Sequence, residues 1–190
     1  MTQSRNTLLL FLAFIPPVAI QNRVTAIKQS IAEQYDSSAA LKSPPHITLH
    51  PPFRWSPENV EAMNRCLQEF ACDRVPVPIS LNGFRAFAPK VIYIQVCNTP
   101  ALLTLQQEIQ AVMDNSLGIS MTGTKRPFSP HMTVAFRDLS PYQFKQAWSN
   151  FQHRSFEANF IVKTLTLLKH NGKIWEVWKE FPLSHSETAG

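Results

Sequence analysis

An internal repeat is the feature that most constrains how this 190-residue chain can fold. Each half reads as a strand, a helix after a proline, a loop, a strand that begins Ser-Pro-(Pro)-His-x-Thr, a Ser-Pro helix start and a further strand. The first strand and the motif histidine are 38 residues apart in one half (Leu8 to His46) and 40 in the other (Val91 to His131). An arbitrary α+β sequence would not show this correspondence, so we expect two related units.

Hydrophobic periodicity and the positions of proline and glycine predict the individual elements. Strands are expected at residues 7–15, 77–87, 91–96, 156–168 and 173–181 and at both histidine motifs, and helices at residues 18–35 and after Ser56-Pro57, Thr99-Pro100 and Ser140-Pro141. Asn171-Gly172 between two strand-like runs predicts a hairpin. Prolines on both sides of the first motif predict that its strand is very short, ending at Pro51.

The apolar run at residues 7–15 has a second interpretation, because it resembles the hydrophobic region of a signal peptide. Pro16-Pro17 follows it at once, no A-x-A-like cleavage site appears, and the run is too short to span a bilayer. We therefore predict a buried first strand.

Together the elements predict one α+β domain over residues 1–190. Two lobes, about residues 1–88 and 89–183, are expected to pack around a pseudo-two-fold axis, with residues 184–190 as a flexible tail. Mostly antiparallel sheets would flank a central cleft, with the helices outside.

The composition limits the class of partner. The balance of 18 basic to 13 acidic residues gives a net charge of +5, which favours a phosphate-bearing substrate but falls short of the basic stripes of duplex-binding proteins. Three cysteines without C-x-x-C spacing predict free thiols in a reducing compartment. We expect a cytoplasmic monomer that needs no metal, cofactor or membrane.

The chemistry follows from taking the His-x-Thr motif twice. On a strand, residues i and i+2 point to the same face, so His46 projects with Thr48 and His131 with Thr133. Two imidazoles facing one cleft can supply the base and the acid that cleavage of a phosphodiester requires. The threonine hydroxyls can donate hydrogen bonds to the non-bridging phosphate oxygens.

The shared context of the two motifs, more than the three-letter match, supports this interpretation. A third match, His153-Arg154-Ser155, lacks the preceding Ser-Pro and the apolar strand, and we attribute it to chance.

The stretches HITL (residues 46–49) and HMTV (131–134) resemble the paired signatures of the two-histidine (2H) phosphoesterase superfamily. This superfamily includes 2′-5′ RNA ligase-like proteins and cyclic phosphodiesterases, and the resemblance covers nearly the whole chain. It implies a metal-independent phosphoesterase acting on 2′,3′-cyclic phosphates or 2′-5′ linkages of RNA ends or small nucleotides. It also implies that the two motif histidines are catalytic and the two threonines bind phosphate. The chain departs from the common Phe-Leu-Gly continuation of the first motif, with His-Pro-Pro-Phe at residues 50–53.

Further substrate contacts are expected from five residues near the motifs, which are Lys125, Arg126, Arg137, His50 and Phe53. The basic residues could hold a second phosphate. A platform for base stacking is expected among five aromatic residues, which are Phe53, Trp55, Phe84, Phe87 and Phe128.

Three functions remain open on the sequence alone. Hydrolysis of a cyclic phosphodiester is the first, 2′-5′ RNA ligation by the same histidines is the second, and a nucleotide- or RNA-binding module without catalysis is the third. The sequence does not distinguish which histidine is the base, nor whether the product carries a 2′- or a 3′-phosphate.

Overall fold

A computed structural model describes residues 7–120 and 127–184. Its strands are β1 Leu8–Phe14, β2 Ile47–Trp55, β3 Val77–Phe87, β4 Val91–Val96, β5 His131–Ala135, β6 Glu157–Val162, β7 Thr164–His170 and β8 Trp175–Pro182. Its α-helices are α1 Val18–Tyr35, α2 Val60–Cys72, α3 Pro100–Asn115 and α4 Pro141–Phe151. Two short 3₁₀ turns lie at Ala39–Lys42 and Pro57–Asn59.

The strands form two antiparallel four-stranded sheets, ordered β2-β1-β7-β8 and β5-β4-β3-β6. The α+β class and the pair of sheets confirm the predicted architecture. The boundary predicted between the lobes at residue 88 is not the boundary between the sheets. Strand β3 of the first half belongs to the second sheet, and strands β7 and β8 of the second half belong to the first sheet. The two halves thus exchange strands reciprocally, which joins them into one body.

Each histidine motif lies at an edge strand, since His46 immediately precedes β2, His131 begins β5, and each of these strands lies at one end of its sheet. These two edge strands contact each other. The sheets therefore bring the two motifs together.

Strand β1 runs through the middle of the first sheet and has a different role on each face. Leu10, Leu12 and Phe14 are buried in the main core, which extends across both sheets and the helices. Phe11 and Ala13 point to the opposite face, where they pack with Leu168. The predicted buried first strand is confirmed.

Strand β2 does not stop at Pro51, contrary to the prediction, and continues through both prolines to Trp55. Pro51 and Pro52 are exposed on an edge strand, where a residue without an N–H group breaks no necessary hydrogen bond. A bulge at this point absorbs an extra residue, and pairing resumes between Leu10 and Phe53.

Two other local predictions need correction. The run predicted as one strand over residues 156–168 is two strands, because β6 and β7 separate at Lys163 and enter different sheets. Ser56 makes no side-chain cap, and the chain passes through a 3₁₀ turn before α2 begins at Val60.

The remaining helix starts and the hairpin follow the prediction. Thr99 caps α3, and Ser140 forms a capping box with Gln143 at the start of α4. Strands β7 and β8 form the predicted hairpin around Asn171, whose side-chain oxygen accepts hydrogen bonds from two backbone N–H groups of the loop. The predicted tail lies almost wholly outside the described residues. Within residues 7–120 and 127–184 no helix has the length and apolar character needed to cross a membrane.

Candidate functional site

A cavity of about 490 Å³ lies where the two edge strands meet. Its walls are formed by both motifs, the 3₁₀ turn after α1, the segment after β5 and the β7–β8 hairpin. The lining residues are Phe11, Ala39, Ala40, Lys42, Ser43, His46, Thr48, Pro52, Phe87, Val91, His131, Thr133, Phe136, Arg137, His170 and Trp175.

Strand alternation places all four motif side chains in this cavity. Along β2, Ile47 and Leu49 are buried while Thr48 is half-buried and lines the cavity. Along β5, Met132 and Val134 are buried in the same way, leaving His131 and Thr133 to line the opposite wall. The apolar residues anchor each strand in the core, so the polar residues are held at one position.

Both motif histidines are held by the same hydrogen bond. The Nδ1 of His46 lies 2.7 Å from the carbonyl oxygen of Pro44, and the Nδ1 of His131 lies 2.7 Å from that of Ser129. Because a carbonyl only accepts, Nδ1 must carry a hydrogen in each ring. In the neutral ring Nε2 then has a free lone pair, and in the charged ring it has a proton to give.

The surroundings of His46 favour its neutral form. Burial lowers its pKa to about 4, with a further lowering from the charges of Lys28 and His131, although the bond to Pro44 acts in the opposite direction. Its ring packs against that of Phe11 with the centroids 4.9 Å apart. His46 is therefore neutral at pH 7 and able to accept a proton.

His131 lies among aromatic rings. The centroids of Phe87 and Tyr93 are each 5.2 Å from that of the imidazole, and Phe87 meets it edge to face. Phe87 is 43% exposed and also lines the cavity, so one of its faces is accessible to a ligand.

Two cationic side chains also line the cavity. Lys42 is the last residue of the 3₁₀ turn after α1, and Arg137 follows β5 in the left-handed conformation with φ of 69°. The guanidinium of Arg137 lies 5.3 Å from the ring centroid of Phe136. Among the described lining residues there is no carboxylate, so the cavity favours an anionic ligand.

The structure does not bring His50 and Phe53 into the cavity. His50 is 2% exposed and packs edge to face on Phe53, which is also buried. One step along β1, from Leu12 to Ala13, corresponds to two steps along β2, from His50 to Thr48. This bulge turns His50 toward the core, together with its partner Leu12.

The other predicted contacts divide into three groups. Arg137 lines the cavity, although β5 ends before it. Lys125 and Arg126 lie outside the described residues. Of the five aromatic candidates for base stacking, Phe87 alone lines the cavity, while the others are buried or half-buried elsewhere, namely Phe53, Trp55, Phe84 and Phe128.

Sequence reasoning missed His170, Trp175 and Lys42. The ring of Trp175 packs edge to face against Phe11, with the centroids 4.6 Å apart, and lies 5.0 Å from that of His170. The hairpin reaches the site because β7 pairs with β1, which also pairs with β2. No local pattern signals this long-range pairing, although the alternation around Trp175 does indicate one exposed face.

In the part of the chain that the structure describes, His, Cys, Asp and Glu side chains do not form any group of three or more that could hold a metal ion. Cys66, Cys72 and Cys97 are free thiols, as the sequence predicts.

Comparison with known proteins supports the resemblance seen in the motifs. Residues 16–174 match the family model described as the 2′-5′ RNA ligase superfamily. A candidate phosphoesterase of Geobacillus kaustophilus (strain HTA426) is 29% identical over 181 residues, which cover 93% of this chain and 97% of that protein. A similar protein of Bacillus anthracis (strain A0248) is 30% identical over 176 residues, covering 90% of this chain and 95% of its own.

Solved structures show the same fold. TT0787 of Thermus thermophilus superposes with a TM-score of 0.69 at 20% identity, covering 94% of this chain and 99% of that one. LigT of E. coli complexed with 3′-AMP superposes with a TM-score of 0.68 at 18% identity, also covering 94% of this chain and 99% of that one.

Proposed function

Because this chain belongs to the 2′-5′ RNA ligase superfamily, we propose that it hydrolyses 2′,3′-cyclic phosphates of nucleotides or RNA ends by paired-histidine acid–base catalysis. The observation that carries the proposal is the meeting of His46 and His131 in one cavity, each with its Nδ1–H bound to a carbonyl. In this proposal the enzyme is a cytoplasmic monomer that requires no metal or cofactor.

We assign the base to His46 and the acid to His131. A base must be neutral before the reaction, and burial together with two nearby positive charges favours neutral His46. His131 then supplies the proton from its Nε2. Each proton transfer of this kind typically contributes a factor of ~10² to 10⁴ to the rate.

The reaction is balanced in protons. His46 Nε2 takes a proton from water as the water oxygen forms a bond to phosphorus. The bond from phosphorus to one ribose oxygen breaks, and His131 Nε2–H protonates that oxygen. The product is a phosphomonoester with a free neighbouring hydroxyl, and proton exchange with solvent restores both rings.

Residues of both lobes can stabilise the negative charge of the phosphate. Thr48 and Thr133 can donate hydroxyl hydrogen bonds to the non-bridging oxygens, on which charge rises in the transition state. Lys42 and Arg137 add positive charge at the wall.

Three features favour a nucleotide as the substrate class. The cavity volume of about 490 Å³ lies in the range of small-molecule sites. Phe87 and Trp175 offer aromatic surface for a base at the cavity wall. LigT, which has the same fold, is recorded in complexes with 3′-AMP, NADP⁺ and ATP.

The experiment is a product assay with purified protein in the presence and absence of EDTA. The panel contains the four 2′,3′-cyclic nucleotides, 2′-5′ dinucleotides and RNA oligomers that end in a cyclic phosphate. We expect EDTA-resistant conversion of a cyclic phosphate to one phosphomonoester. Binding without turnover across the whole panel would contradict the proposal and favour a binding module.

Ligation is distinguished in the same assay by adding an RNA with a 5′-hydroxyl end. The same two histidines could then activate that hydroxyl in place of water, and the product would be a longer RNA with a 2′-5′ linkage. If the ligated RNA forms in larger amounts than the hydrolysis product, the protein is a ligase and our assignment as a hydrolase is wrong.

A further inference from the structure

A buried lysine lies behind the first histidine strand. Lys28 is 2% exposed and belongs to the buried face of α1 with Val24 and Ile31. Burial of a lysine ammonium is costly unless the charge is compensated. Here burial lowers the pKa of Lys28 only to about 8, so the group stays mostly charged at neutral pH.

The ammonium is bound by carbonyl oxygens. Its Nζ donates hydrogen bonds to Ala40 and Ser43, both at 3.0 Å. Within the described residues, Arg74 makes both ion pairs and Lys28 makes none. No described carboxylate therefore neutralises the charge of Lys28. A positive charge without a counterion is therefore kept inside the protein.

These two bonds hold a wall of the cavity. Residues 39–43 contribute four lining residues, and Lys28 binds this segment near its middle and at its end. The next residue, Pro44, supplies the carbonyl that accepts from His46 Nδ1. Lys28 and His46 are thus joined through two consecutive backbone carbonyls.

The second lobe has no equivalent charge at the matching position. Lys28 is the eleventh residue of α1, counted from Val18, and Gln110 is the eleventh residue of α3, counted from Pro100. Gln110 is a neutral amide, so α3 carries no cation at the position that matches Lys28.

We propose that Lys28 is a positioning residue of the site, which fixes the 39–43 wall and places a buried positive charge behind His46 that adds to the effect of burial in favouring the neutral ring. The inference rests on the proposed function, in which His46 is the base. The hydrogen bonds that fix the wall and the charge that acts on the ring reside in one group, the Lys28 ammonium.

The groups that face His46 from each side determine the sign of the effect. Lys28 approaches from α1, His131 from β5 and the uncharged Phe11 ring from β1. The cavity adds three groups, which are Lys42, Arg137 and His170, and no described lining residue is an acid. Because the charge of Lys28 lowers the pKa of His46, removing that charge must raise it.

The test is an NMR titration of the His46 ring in the full-length protein and in four variants. Lys28→Met removes the charge and the hydrogen bonds, Lys28→Gln removes the charge but keeps an N–H donor, and Lys28→Arg keeps both. Lys145→Met, on the exposed face of α4, is the matched control. We expect the His46 midpoint to rise by about half a pH unit or more in the Met and Gln variants and to stay low in the Arg and control proteins.

Hydrogen exchange separates the positioning effect from the charge effect. The backbone amides of residues 39–43 should exchange faster in Lys28→Met than in Lys28→Gln or the control. If Lys28→Met fails to fold, comparing the His46 midpoint of Lys28→Gln with that of Lys28→Arg still measures the effect of the charge. An unchanged His46 midpoint in folded Lys28→Gln would overturn the proposal.

The kinetic measurement keeps this inference distinct from the proposed function. With an active cyclic phosphate, the acid limb of the kcat/KM profile should move up by the same interval as the His46 midpoint, with a smaller change in KM at pH 7. If the wild-type protein turns over no cyclic phosphate, the proposed function fails while the titration still tests Lys28. If it does turn substrate over and the acid limb does not move in Lys28→Gln, the inference fails alone.

Discussion

The two histidine strands share a motif and differ in what surrounds it. Both are edge strands, and both hold their histidine by an Nδ1–H bond to the carbonyl two residues earlier. His46 is backed by a buried cation and an apolar ring, whereas His131 lies between two aromatic side chains, one of them exposed to the cavity. The difference teaches that a duplicated motif can place two identical groups symmetrically while residues outside the motif give them different surroundings, which at His46 favour the neutral ring.

Hydrogen bonds also join the two lobes beside the site. The carboxylate of Asp138, just after β5, accepts hydrogen bonds from the Ser37 hydroxyl and from the N–H groups of Ser38 and Ala39, at 2.7 to 2.9 Å. The segment that carries Lys42 and Ser43 is thus held at its start by the second half of the chain and at its end by Lys28.

The largest expected effect comes from removing either histidine. We expect His46→Ala and His131→Ala each to lower kcat by a factor of ~10² to 10⁴, because in the proposed mechanism each variant lacks one proton transfer. The double variant should lose little more, since both groups act in one step. Turnover of the active cyclic phosphate measures the effect, and His153→Ala, from the exposed chance match, is the control. A near-wild-type rate in either single variant would show that the two histidine strands do not both contribute to catalysis.

The next effect concerns the two threonines. Thr48→Val and Thr133→Val keep the shape and remove the hydroxyl, so each should lower kcat/KM by a factor of roughly 10 to 100. Steady-state kinetics on the same substrate would reveal whether the two lobes contribute equally to phosphate binding.

Thr166→Val is the control for both threonine variants. Thr166 is fully buried, and its hydroxyl has no hydrogen-bond partner among the described residues. Its replacement should leave kcat/KM unchanged and raise the free energy of unfolding by about 1 kcal/mol. Equal losses of activity in all three variants would indicate a general packing effect instead of phosphate binding.

A smaller effect is expected from breaking the contact between the halves. Asp138→Ala removes three hydrogen bonds to an exposed carboxylate, so we expect a loss of about 1 to 2 kcal/mol in the free energy of unfolding. Because the same bonds hold the cavity wall, KM should rise several-fold while kcat changes less. Urea unfolding and steady-state kinetics measure the two effects, and a change in kcat alone would contradict this role.

The smallest effect at neutral pH is a pH dependence of stability, which begins only below about pH 6.5. The pKa of His46 is about 4 in the folded protein and 6.5 in the unfolded chain, so the unfolded chain binds more protons between these values. The stability contribution is therefore complete above pH 6.5 and is lost as the pH falls through 4, by about 1 to 3 kcal/mol, reduced by partial exposure of the ring. His46→Asn should flatten the curve of unfolding free energy against pH in this window, and an identical curve would contradict the assignment.

Much of the fold could be predicted because it depends on local patterns. The helical spacing of Ile20, Val24 and Ile31 predicts α1 to the residue, and the Asn171-Gly172 pair predicts the final hairpin. The four residues of the two motifs, His46, Thr48, His131 and Thr133, all line the cavity. Alternation along a strand is enough to predict that each pair shares a face.

The failures concern positions where pairing with a distant strand decides the outcome. Alternation alone predicts His50 beside His46, but a bulge opposite Leu12 turns it into the core. The missing N–H of Pro51 predicts the end of β2, but an edge strand has no neighbour that needs this group. Lys163 separates two strands that read as one apolar run, because each half of that run pairs in a different sheet.

The sequence by itself determined the duplicated order of elements, the residue types that can perform the chemistry and the face on which each motif presents them. These follow from spacing, since a period of two or 3.6 residues is set by the backbone alone. Only the tertiary structure decided that the halves exchange strands, that His170 and Trp175 reach the cavity and that Lys28 is buried behind one histidine. The physical reason is that burial, and with it the protonation of His46, depends on neighbours that lie far apart along the chain.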